Sequence, residues 1–71
     1  DDYFDGDRMH AWLQEAVAQL PEVQRTVFVM KYFDEMKYSE ISEVLETSEG
    51  ALKASYHLAV KKITEYLKRF N

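Results

Sequence analysis

The chain has 71 residues, 46% of them hydrophobic, and no cysteine; this is enough for one domain with a small core, argues against a disordered tail, and excludes disulfide staples and thiolate metal sites. No apolar run approaches the roughly 18 residues of a membrane-spanning helix. The formal net charge of −4 counts, taken whole, against a polyanionic partner.

A start at Asp1 reads as a piece of a longer chain, and the missing cysteines fit a cytoplasmic setting. Residues 1–7 are acidic and aperiodic and read as a linker end, with Asp5 or Asp7 as an N-cap. The domain is expected over residues 8–71. Its first helix spans 8–20, where Met9, Trp12, Leu13, Ala16, Val17 and Leu20 make one apolar stripe. Pro21 ends that helix and suits the first turn of the next, where its missing N–H is not needed. The second helix spans 21–33. Val23, Val27 and Met30 give it one face, yet residues 27–33 are apolar on more than one side. Such a helix is either central to the core or covers a partner site; in so small a domain, burial is the first expectation.

The third helix is short, 38–45, with Ile41, Val44 and Leu45 on its inner side. A turn at Glu46 and Thr47 follows. Ser48 is a good N-cap for the fourth helix, because its hydroxyl can accept from an exposed N–H one turn in. Glu49 complements the helix dipole there. The fourth helix spans 49–70. At 100° per residue, Leu52, Tyr56, Ala59, Ile63, Tyr66, Leu67 and Phe70 fall within about 60° of one direction, which predicts the buried stripe. Gly50, Lys53, Ala54, His57, Lys61 and Lys68 fall on the far side, and Leu58 leans outward.

The charge is unevenly spread. Residues 1–47 carry four basic and eleven acidic side chains, a net of −7; residues 48–71 carry five basic and two acidic, a net of +3. Such asymmetry points to a polyanion-facing element, although a solvated basic helix end would give the same count. A short helix, a tight turn and a longer helix on a helical base form a helix-turn-helix. The second helix of that motif lays its N-terminal residues along the major groove. Small side chains there permit close approach, and lysines at the edges suit phosphates. The expected fold is thus all-α: four helices containing a helix-turn-helix, winged-helix-like but without the wing. An enzyme is not expected. His10 and His57 lack metal-ligand spacing, and no glycine-rich phosphate loop or Ser/His/Asp arrangement stands out. No metal, cofactor, membrane or small-molecule substrate is expected.

The strings LPEVQRTVFVMKYF and YSEISEVLETSEGALKASYHLAVKKITEYL resemble region 4 of the sigma-70 family of RNA polymerase sigma factors, the extracytoplasmic-function type above all. The matching positions are Leu20, Pro21, Tyr32, Tyr38, Glu40, Ile41, Ser48, Gly50, Lys53, Ala59, Lys61 and Lys62, and the likeness covers residues 8–70. It implies a domain that reads the −35 promoter element in double-stranded DNA through the fourth helix and docks on the β flap of core RNA polymerase. An anti-sigma factor covering the apolar and basic surfaces is a further implied partner. By alignment, Met30 and Tyr32 match polymerase-facing positions, and Phe28, Val29 and Phe33 are their neighbours; ordinary core burial is the open alternative for all five. Glu49, Gly50, Lys53, Ala54 and His57 are expected near base edges. Ser48, Ser55 and Lys61 are expected at phosphates, with Lys31 and Tyr38 as further backbone contacts. Glu49 has the alternative of complementing the helix dipole, and His57 that of simple solvation.

Several positions depart from the family pattern. Glu35 and Glu46 stand where glycine is common in turns, and a positive φ at either would cost about 1 kcal/mol. Lys37 replaces a capping serine and Ser42 a small alanine. Ser55, Leu58 and Val60 occupy positions where arginine is common, which predicts weak DNA affinity for the isolated module. Two rival readings follow. One is the helix-turn-helix output domain of a response regulator, which shares the four-helix plan. The other is a protein-interaction module whose DNA face is idle.

Overall fold

The computed structural model describes residues 6–69, with side chains from residue 11 onward. Met9 and Phe70, expected in the core, lie outside the described side chains, as does Asp5. Among the described residues there are helices and no strands. Helix α1 is Gly6–Ala18, α2 is Glu22–Phe28, α3 is Tyr38–Leu45 and α4 is Glu49–Lys68. Helix α1 begins two residues before the expected start at Arg8, so Asp7 lies inside it rather than capping it. No described helix is long and apolar enough to cross a membrane.

The stretch expected as one helix over 21–33 is two pieces. Ordinary α-helix stops at Phe28, and Val29–Phe33 winds on as a wider π-helical turn. There the Asp34 N–H donates to the Val29 carbonyl at 3.1 Å and the Met36 N–H to the Met30 carbonyl at 3.0 Å. Such turns are rare and gather at functional sites. Periodicity carries no signal for them, because the residues remain apolar on several sides. The end of α1 tightens, with Leu20 N–H reaching the Val17 carbonyl at 3.0 Å. The Arg25 guanidinium donates to the Leu20 carbonyl at 3.2 Å, supplying the cation that a helix C-terminus favours.

Helix α4 carries the fold. Its 20 residues at about 1.5 Å each give some 30 Å of rod, in a molecule 42 Å long. Two apolar clusters sit along it. Toward its C-terminal half, Ala59 and Ile63 pack with Ala16, Val17 and Leu20 of the first helical segment and with Phe28. Toward its N-terminal half, Leu52 packs with Val27 and Ile41, all three 1% exposed or less. Burying each such side chain contributes about 1.5–3 kcal/mol before chain entropy is subtracted. The buried stripe expected on α4 is therefore present at Leu52, Ala59 and Ile63, with Tyr56, Tyr66 and Leu67 half-buried beside it. Two inner-face expectations are corrected. Val23 and Val44 are 63% and 61% exposed. They share a stripe with core residues, but lie at its uncovered edge.

Candidate nucleic-acid interface

The helix-turn-helix is α3, a three-residue turn (Glu46, Thr47 and Ser48) and α4, held by short-range bonds. Lys37 cannot cap α3 with its ammonium, but its own N–H donates to the Glu40 carboxylate at 2.8 Å, so the first turn is closed from within. Glu46 ends α3 with a φ of 53°, and Glu35 closes the π turn at 55°, so the cost expected at both positions is present. The Thr47 N–H reaches the Ser42 carbonyl at 3.3 Å, the helix-ending loop that glycine usually permits. The Ser42 hydroxyl donates to the Thr47 carbonyl at 2.6 Å, and the Thr47 hydroxyl donates to the Leu45 carbonyl at 3.0 Å. Ser42 thus ties the turn from both ends, a role that residue type alone did not signal. Ser48 caps α4, its hydroxyl accepting from the Ala51 N–H at 3.2 Å.

The strip expected on the outer face of α4 is exposed: Gly50, Lys53, Ala54, His57, Lys61 and Lys68 all face solvent, as does Glu49 at the start of the helix. A methyl group added at Gly50 would meet no atom within 4 Å. The fold therefore does not require glycine there, and the backbone lies open to close approach. Ser55 sits apart, half-buried at the side of the helix. Leu58 and Val60 are 45% and 39% exposed, so the surface that lacks the family's arginines is in part apolar.

Lys31, Tyr38 and Lys53 come from three separate elements and converge. The Lys31 Nζ lies 4.6 Å from the centre of the Tyr38 ring and donates to the Met36 carbonyl at 3.3 Å. The Lys53 Nζ lies 5.7 Å from the same ring. Ammonium groups at these distances are attracted to the ring face by about 0.5–1 kcal/mol each. The two residues weighed only as further backbone contacts thus form one cationic centre with Lys53, beside the open end of α4. Lys61 lies two turns further along.

The five apolar residues assigned to a polymerase surface divide. Phe28 is 4% exposed and belongs to the core, so it offers almost no surface to a partner. Val29 and Phe33 pack against the first cluster and Met30 against the second. Tyr32 is 53% exposed, and its inner face stacks on Phe28 with ring centres 5.1 Å apart. Among the described residues, no group of acidic or histidine side chains could hold a metal ion.

Residues 10–63 match the family described as sigma-70, region 4. The chain belongs to the sigma-70 region 4 family. Over 56 residues it is 34% identical to the ECF RNA polymerase sigma factor SigW of Bacillus subtilis (strain 168), an alignment covering 79% of this chain and 30% of that relative. The chain thus spans about a third of the length of the relative it matches. No solved structure matches it. Membership in the sigma-70 region 4 family sets aside the response-regulator alternative. It also agrees with the geometry, since the matched segment runs from α1 through the helix-turn-helix and most of α4.

Proposed function

We propose that this region 4 chain is the part of a sigma factor that reads the −35 promoter element during transcription initiation. The observation that carries the reading is the outer strip of α4, with small residues at Gly50 and Ala54 and lysines at its edges. A groove-inserted helix needs short side chains for approach and cations for phosphates. Gly50, Ala54 and His57 face base edges in this arrangement, and the Glu49 carboxylate accepts from a cytosine amine. Lys31, Tyr38 and Lys53 grip one stretch of backbone and Lys61 another, with Ser48 and Ser55 adding lesser contacts. Polymerase docking, through the β flap, falls to Tyr32 and the partly exposed side chains of the π turn. The cytoplasm is the setting such a role requires.

With few cations the isolated chain binds weakly. Tethering to polymerase and to a second DNA contact raises its effective concentration without any new interaction. Footprinting of the full-length protein with core polymerase tests the assignment. Lys53→Ala and Lys61→Ala are each expected to weaken protection of the upstream element, and unchanged protection in both would overturn the DNA-facing strip. The second reading, an interaction module covered by an anti-sigma factor, is favoured by the net charge of −4 and by the exposed Leu58 and Val60. A salt titration separates the two. Three phosphate contacts give a log–log slope of about −2.7, whereas a flat response selects the interaction module.

A further inference from the structure

We propose that Tyr56 is a positioning residue for the phosphate contacts of Lys31 and Lys53, an inference that rests on the DNA-facing reading above. Lysine carries its charge on a long flexible stem, and fixing such a side chain at an interface costs conformational entropy. Here both ammonium groups are gathered over one ring, that of Tyr38. That ring is itself held. Tyr56 meets it edge-on, with centres 6.4 Å apart and planes at 82°. Tyr56 in turn stacks on Phe28 at 5.6 Å and 14°, and Phe28 is anchored in the core at 4% exposure. Tyr56 also packs against both apolar clusters. Edge-to-face and stacked pairs have preferred geometries that an aliphatic side chain cannot supply. Leucine at position 56 would fill the space and leave Tyr38 without an edge to lean on, so the lysines would lose their common seat.

Titration of the full chain with a mixed-sequence DNA duplex across a range of salt concentrations tests this, because phosphate contacts carry no base information. Tyr56→Leu is expected to bind about three- to tenfold more weakly, with a salt slope shallower by about 0.9 for each phosphate no longer neutralised. Tyr56→Phe keeps the ring and binds as the unsubstituted chain. In a Lys31→Ala/Lys53→Ala background, Tyr56→Leu has no further effect. Unchanged binding by Tyr56→Leu, or an equal loss in the Lys31→Ala/Lys53→Ala background, would overturn the inference while leaving the DNA-facing reading intact. If the unsubstituted chain shows no salt dependence and the double lysine variant binds no worse, that reading itself fails, and the inference with it. A readout free of DNA stands beside these. The ring-current shift of the Lys31 and Lys53 side-chain protons is expected to persist in Tyr56→Phe and vanish in Tyr56→Leu. Should Tyr56→Leu not fold, duplex titration into the unsubstituted chain replaces it. The Tyr56 ring resonances are then expected to move with those of Tyr38 and the lysines, and lysine shifts without Tyr56 shifts would overturn the proposal.

Discussion

Glu35 and Glu46 both hold a left-handed backbone, with φ of 55° and 53°, a region that disfavours any residue with a Cβ. Glu46→Gly is therefore expected to stabilise the fold by about 1 kcal/mol, raising the thermal midpoint by roughly 4–8 °C. Thermal melting by circular dichroism checks it, and a lower midpoint would show that the glutamate side chain contributes more than the strain costs. Gly50 is the inverse case: glycine stands in a helix where nothing demands it. Gly50→Ala should stabilise the chain by about 0.5–1 kcal/mol and, on the DNA-facing reading proposed above, weaken duplex binding, because the added methyl would stand on the surface that approaches the bases. A variant that gains stability and keeps full affinity would remove Gly50 from the DNA face. Both glutamates were legible as departures in sequence, since a turn that glycine usually fills implies its backbone. Gly50 was legible as an outer-face position in sequence, and the empty space around it adds that the fold itself does not require glycine there.

At the scale of the elements, Ser42 shows how a small polar group holds a motif. Its hydroxyl bond to the Thr47 carbonyl spans the turn that sets α3 against α4, and a typical intramolecular hydrogen bond contributes about 0.5–1.5 kcal/mol. Ser42→Ala is expected to destabilise the chain by about 1 kcal/mol, measured by denaturant unfolding. No change would mean that the Thr47 N–H bond to Ser42 suffices for the turn. The bounds of α3 were legible from its apolar spacing and the turn that follows, although Lys37 stands where a capping serine is usual. The exposure of Val23 and Val44 was not, because periodicity tells which residues share a face and not which of them a neighbour covers. The π turn was hidden for a related reason: a segment apolar on several sides has no phase from which a wider winding could be noticed. The meeting of Lys31, Tyr38 and Lys53 depends on that winding and on a loop, so no spacing along the chain announces it.

Across the whole molecule, α1 is joined to the far end of α4 by the Tyr66 hydroxyl, which donates to the Glu15 carboxylate at 3.1 Å. Burial, and then this bond to Glu15, raises the Tyr66 pKa above its ordinary value. Burial, and then the nearby phenols of Tyr38 and Tyr32, raises that of Tyr56. A phenol whose pKa is higher in the folded chain holds its proton more tightly there, so its contribution to stability is complete below about pH 10 and is lost as pH climbs through the raised value. The urea midpoint is expected to fall above about pH 10, and to fall less steeply in Tyr66→Phe. An identical alkaline profile in that variant would remove Tyr66 from the linkage.

Val27, Ile41 and Leu52, one from each of α2, α3 and α4, form a three-point bearing under the outward half of the long rod. Such an interior is close-packed, so the loss of one methylene from any of the three is felt by the helices it joins. On the DNA-facing reading proposed above, the fit of the rod to a duplex would then depend on these hidden residues as well as on those at its surface.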